Sequence, residues 1–188
     1  MLQLQQAIPG IRLHWVVFSA TGQREAEARS GAALFATTSE KTVVLKSNKD
    51  GFLPYTGADV KASFEEMKSQ IDPDLIFTHW NGDAHQDHRL LSELTWNTFR
   101  NHFILEYEIP KYDGDMGRPN FFVPLEAPFF EQKIEFLFKA FATQSGKKWF
   151  DRETFRGLMR LRGMECNSPT GYAEAFYARK VVLKPAAS

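Results

Sequence analysis

The most informative stretch of the chain is LIFTHWNGDAHQDHR, residues 75–89. It begins with an apolar run typical of a buried strand, passes through a polar turn containing a glycine, and ends where a helix is predicted to begin. It holds three of the five histidines of the chain and two aspartates: His79, His85, His88, Asp83 and Asp87. Because histidine and aspartate are seldom buried without partners, this density indicates a functional site. In open α/β sheets, ligands bind where the end of a strand leads into a helix.

The spacing of the cluster predicts its chemistry. Asp87 and His88 would lie in the first turn of the helix, where the partial positive charge of the helix end favours a carboxylate and disfavours a protonated imidazole. Neutral imidazole is the form that binds zinc. His85 precedes His88 by three residues, so one ring could bind a metal while the other touches a metal-bound substrate. The alternative is that Asp87 caps the helix and both histidines are solvated surface residues.

This stretch resembles the second motif of the PIG-L/LmbE-like family, whose members are zinc-dependent de-N-acetylases of N-acetylglucosamine-type substrates. The D-x-H-x-D-H core of that motif matches at Asp83, His85, Asp87 and His88. The resemblance implies that His88 is a zinc ligand. It also implies that His85 stabilises the oxyanion or protonates the leaving amine, and that Asp87 orients His85. Weaker matches extend the resemblance over nearly the whole chain. The resemblance also implies a small-molecule amino-sugar conjugate as the partner.

Composition narrows the class of protein. The 188 residues are enough for one domain, 1–188, with 43% hydrophobic and 24% charged residues. The 23 basic and 23 acidic residues cancel, so neither nucleic acid nor an anionic membrane is expected as the main partner. The sequence shows neither a signal-peptide pattern nor a run of about 18 apolar residues. The single cysteine, Cys166, fits a reducing compartment, and we expect a cytoplasmic protein.

Alternating strand and helix patterns predict an α/β fold, a Rossmann-like three-layer sandwich with a mainly parallel sheet and right-handed crossovers. The predicted strands lie near 12–19, 42–46, 75–79 and 104–109, with a last short strand at 181–183. The polar loop 111–120 could be a substrate lid or an ordinary connection.

The first motif of the family, H-P-D-D-E, has no counterpart in this sequence. In the family it supplies a histidine and an aspartate that bind zinc, and a second aspartate that acts as general base. We therefore expect the first strand of the fold to be missing, leaving an unpaired strand edge prone to self-association. A hydrolytic zinc usually has three protein ligands, so zinc binding through His88 should be weak and activity impaired. Asp83 or His79 could substitute for the missing ligands, but nothing in their spacing indicates that either does.

Two other functions compete with this interpretation. A metallo-β-lactamase-like hydrolase has the motif H-x-H-x-D-H, but Asp83 replaces its first histidine, and none of the downstream histidines that it needs follows His102. A catalytically inactive, degenerate sugar-binding domain is favoured by the missing motif, whereas the intact run from Asp83 to His88 argues against it.

Overall fold

A computed structural model of the protein describes residues 1–37 and 40–182. The helices are α1 (Leu2–Ala7), α2 (Gln23–Phe35), α3 (Gly57–Gln70), α4 (Gln86–Thr98), α5 (Ala127–Ala140) and α6 (Arg152–Glu165). The strands are β1 (Leu13–Val17), β2 (Lys41–Leu45), β3 (Leu75–His79), β4 (Phe103–Tyr107), β5 (Phe121–Pro124) and β6 (Ala173–Tyr177). Short 3₁₀ helices lie at Leu53–Thr56 and Ala142–Gln144.

The described residues group into two compact units, and each is treated by itself. The first unit comprises residues 1–50, 110–112 and 123–174. The second unit comprises residues 51–109, 113–122 and 175–182.

In the first unit, β1 and β2 form a parallel pair in which Leu13 lies opposite Lys41 and Val17 opposite Leu45. The connection between them is α2, as expected for parallel strands, which need a crossover. A hydrophobic cluster forms around α5 and α6 from Leu125, Phe130, Ile134, Phe150, Phe155 and Met159.

In the second unit, β3 and β4 are parallel, with Leu75 opposite Phe103 and His79 opposite Tyr107. Helix α4 connects them and packs on β3, where the buried hydroxyls of Thr78 and Thr95 lie 3.0 Å apart. The order of this sheet is β3-β4-β6-β5, and β6 runs antiparallel to β4. The carboxyl end of β3 and the first turn of α4 therefore meet, as the sequence predicted.

The predicted α/β class with mainly parallel strands is confirmed, and the four predicted strands each lie within a few residues of an observed one. The sequence analysis missed β5 and β6. It was wrong about a strand at 181–183, because Val181 and Val182 lie outside any strand and are each 65% exposed. Leu183 lies outside the described residues. Within the described ranges, no helix is both long and apolar enough to span a bilayer.

Candidate active site

The turn that joins β3 to α4, residues 80–85, is held to the neighbouring strand β4. The Trp80 amide donates to the Tyr107 carbonyl at 3.0 Å, which continues the parallel pairing by one residue. The Asn81 amide donates at 2.8 Å to the carboxylate of Glu106, a side chain that is almost completely buried. These contacts fix the turn, so that the side chains that follow it are presented from a rigid element.

Asp83 organises the site. Its side chain is 2% exposed, and its two carboxylate oxygens bind different groups. Oδ1 accepts from the His85 amide at 2.8 Å, and Oδ2 lies 2.9 Å from His88 Nδ1. An ionised carboxylate can only accept, so His88 Nδ1 carries a hydrogen, and in the neutral ring Nε2 keeps a lone pair. This carboxylate–imidazole arrangement is the one that fixes the tautomer of metal-binding or general-base histidines.

His85 has its proton on the opposite nitrogen. It is the N-cap residue of α4, and its Nδ1 accepts from the Asp87 amide at 3.2 Å. A neutral imidazole that accepts at Nδ1 carries its hydrogen on Nε2. The centroids of the His85 and His88 rings lie 4.5 Å apart, so the structure brings a proton donor and a proton acceptor side by side. The prediction that these two histidines share one small volume agrees with this geometry.

A third imidazole adjoins the pair. His79, the last residue of β3, stacks on His88 with centroids 4.2 Å apart and an angle of 19° between the planes. Its Nε2 lies 3.3 Å from the hydroxyl of Tyr107 on β4. Burial, together with the negative charge of Asp83, raises the pKa of Tyr107, so the phenol stays protonated at neutral pH.

The carboxylate of Asp87 binds two backbone amides. Its Oδ2 accepts from the Gly51 amide at 2.7 Å and its Oδ1 accepts from the Leu53 amide at 3.1 Å. Only its backbone amide contacts His85. Asp87 thus contacts an imidazole, as predicted, through its backbone amide rather than through its carboxylate, and a catalytic role for Asp87 stays a prediction.

The loop that was expected to be a substrate lid or a simple connection is attached to the same turn. Asp115 Oδ2 accepts from the Ala84 amide at 2.7 Å, and the Gly117 amide donates to Glu108 at 3.0 Å. A side chain at Gly117 would collide with the ring of Trp80, so glycine is needed for this close approach. The attached segment, residues 113–118, is thus held against the turn that leads to His85.

The donors in the described part of the chain do not make a zinc site. Among these residues, no group of three or more histidine, cysteine, aspartate or glutamate side chains could hold a metal ion. Asp83 already binds the His85 amide and the His88 ring, and His79 lies parallel to His88, whereas ligands should converge on the metal. His88 Nε2 is one suitable donor, but a hydrolytic zinc normally has three. Neither Asp83 nor His79 is placed to supply the others.

His102 contacts residues outside the cluster. Its ring Nε2 lies 2.8 Å from the exposed carboxylate of Asp72, and its amide donates to the carbonyl of Phe99 after the end of α4. The sequence analysis missed the roles of His79 and Tyr107. The signal for both was present, since each ends a strand of the parallel pair.

Comparison with known proteins identifies the type of fold. Residues 12–99 match the family model PIG-L, described as GlcNAc-PI de-N-acetylase. The conserved protein TT1542 from Thermus thermophilus is 18% identical with a TM-score of 0.70, covering 100% of this chain and 90% of that one. No curated protein matches the sequence significantly.

Two further solved structures show how widely the fold is used. The N,N'-diacetylchitobiose deacetylase from Pyrococcus horikoshii is 18% identical with a TM-score of 0.65, covering 93% of this chain and 74% of that one. GalB, the 4-carboxy-2-hydroxymuconate hydratase from Pseudomonas putida KT2440, is 15% identical with a TM-score of 0.64. The match covers 100% of this chain and 90% of that one. At such identities the likeness shows the fold alone.

The family description names an amide hydrolase, which is the enzyme class predicted from the sequence. The chain has the fold of these structures, and its resemblance to the PIG-L/LmbE-like family is confirmed, with the family model covering residues 12–99.

Proposed function

We propose that this chain hydrolyses the N-acetyl group of an N-acetylglucosamine-type sugar conjugate, releasing acetate and the free amine. The observation that carries the proposal is the pair of adjacent imidazoles, His85 and His88, with protons on opposite nitrogens. Amide hydrolysis needs both a proton donor and a proton acceptor at one carbon centre, and each typically contributes about 10²–10⁴-fold to the rate. The family match over residues 12–99 supports this chemistry over that of the hydratase.

The roles of the two histidines follow from their hydrogen bonds. His85 Nε2–H can donate to the carbonyl oxygen of the substrate as negative charge develops there, and then to the departing amine. His88 Nε2 has the lone pair, and it can take the proton that the attacking water loses. It is also the nitrogen of this chain that would hold zinc, which would supply the acidity of the water instead. Because the described residues supply no further ligands, we expect weak zinc binding and slow hydrolysis by this chain.

The test is amine release from N-acetylglucosamine conjugates, measured together with metal content by mass spectrometry. We expect His85→Ala to abolish the slow turnover and His88→Ala to abolish the residual zinc. His102→Ala is the matched control, because this histidine pairs with the exposed Asp72, and both properties should be unchanged.

Three outcomes would contradict the proposal. Unchanged turnover in His85→Ala would show that another group donates the proton. Sugar binding without any amine release would favour the degenerate sugar-binding domain. Stoichiometric zinc with rapid turnover would show that other ligands do the chemistry.

We further propose that copies of the chain self-associate in the cytoplasm. Within the described residues, β1 pairs only with β2, and β3 is the end strand of its sheet. Unpaired edges of parallel strands are templates for association. Cys166 is a free thiol, which fits a reducing compartment. Light scattering over a range of concentrations tests the association, and a monomer at every concentration would contradict it.

A further inference from the structure

Two exposed aromatic rings lie on the segment that leads into α3. Phe52 is 44% exposed and Tyr55 is 80% exposed, and their ring centroids are 5.8 Å apart at an angle of 50°. Two large rings in contact at the surface form an apolar patch, and such patches often mark binding sites. The proposed hydrolysis does not use these two rings.

The backbone under these rings is fixed to the first turn of α4. Both oxygens of Asp87 accept backbone amides of this segment, from Gly51 at 2.7 Å and Leu53 at 3.1 Å. The side-chain amide of Gln86 donates to the Gly51 carbonyl at 2.9 Å. Gly51 has φ +79°, which other residues rarely adopt, and the side chain of Leu53 is 1% exposed. Phe52 is therefore held between two anchored residues.

The anchor is also the residue next to His88. The main-chain amide of Asp87 orients His85, and its carboxylate orients the segment that carries Phe52. One buried aspartate thus couples the position of the aromatic rings to that of the histidines. Within the second unit, the backbone beneath the aromatic rings is therefore bonded to the same helical turn that begins at His85 and carries His88.

We propose that Phe52 and Tyr55 form a sugar-binding platform for the ring that neighbours the N-acetylated ring of the substrate. This inference rests on the proposed function and names its substrate class, an N-acetylated disaccharide or longer conjugate. Flat aromatic faces pack against the apolar C–H face of a pyranose, and the Tyr55 hydroxyl offers a polar edge for sugar hydroxyls. A rigid platform also costs little conformational entropy on binding.

The experiment measures binding rather than turnover, so that its failure is separable from failure of the proposed function. The full chain is titrated calorimetrically with N-acetylglucosamine and with N,N'-diacetylchitobiose. Phe52→Ala and Tyr55→Ala should each weaken disaccharide binding roughly 2- to 10-fold. Affinity for the monosaccharide should be unchanged, and Phe52→Tyr should retain disaccharide affinity where Phe52→Leu loses it.

Met164→Ala is the control, because Met164 is another exposed apolar residue, 65% exposed, on α6. It should change neither affinity. Three results would each overturn the platform. The first is an equal loss of affinity for both sugars in Phe52→Ala and Tyr55→Ala, and the second is an unchanged disaccharide affinity in these variants. The third is no disaccharide binding by the wild type. Disaccharide binding that depends on the rings, without amine release, would sustain the platform and refute the hydrolase.

Discussion

Replacing Asp83 with asparagine should move the proton of His88 from one ring nitrogen to the other. The asparagine side chain is the same size but presents one acceptor and one donor where the carboxylate presents two acceptors. The His85 amide can only donate, so the carbonyl oxygen of the new side chain must stay with it. The NH₂ group then faces His88 Nδ1, which must accept, and the hydrogen moves to Nε2.

The magnitudes favour this outcome over a flipped amide. The flip would leave the His85 amide without an acceptor beside a side chain that is 2% exposed, at a cost of about 1–3 kcal/mol. The bonds from the Asp83 carboxylate to the His85 amide and the His88 ring, at 2.8 and 2.9 Å, are charge-assisted. Such bonds contribute about 1.5–3 kcal/mol each, against about 0.5–1.5 kcal/mol for neutral bonds. The variant should therefore lose about 2–3 kcal/mol of unfolding free energy and also the lone pair on Nε2.

Nitrogen-15 NMR of the imidazoles reports the tautomer directly, and urea unfolding reports the stability. Asp87→Asn is the matched control, because its carboxylate binds the amides of Gly51 and Leu53, so the tautomer of His88 should not change. A His88 ring that keeps its hydrogen on Nδ1 in Asp83→Asn would refute the assignment of Asp83 as the residue that sets it. Asp83→Asn should also lose residual zinc binding.

Two further predictions concern the first unit. Burial raises the pKa of Glu174, but the Lys133 ammonium, 2.5 Å away, and the N-terminal amine outweigh it and hold that pKa below its ordinary value of 4.5. This stabilisation is present above the ordinary pKa and is lost as the pH falls towards the folded-state pKa. Urea unfolding between about pH 6 and about pH 3 should therefore show that the free energy of unfolding falls more steeply in the wild type than in Glu174→Gln. Equal slopes would contradict this. Gly163→Ala should lower the free energy of unfolding by about 3 kcal/mol, because the added Cβ would collide with the backbone of Gly171. An unchanged midpoint of thermal unfolding would show that the backbone can move aside.

The sequence by itself determined the strand–turn–helix around residues 75–89 and the proximity of its histidines. Both are local properties: alternating apolar and polar segments set the elements, and three residues of separation at a helix start set the pairing of His85 with His88. The four main strands were predictable for the same reason. The short strands β5 and β6 were not, because their pairing depends on distant partners rather than on periodicity.

Only the tertiary structure decided which carboxylate serves which group. Asp83 and Asp87 lie four residues apart in one motif, and the sequence cannot tell which of them will face an imidazole. The turn between β3 and α4 directs Asp83 inward to His88, while the helix directs Asp87 to the amides of Gly51 and Leu53, more than 30 residues away. A buried carboxylate binds the donors that the fold brings to it, and those donors come from parts of the chain whose meeting depends on packing.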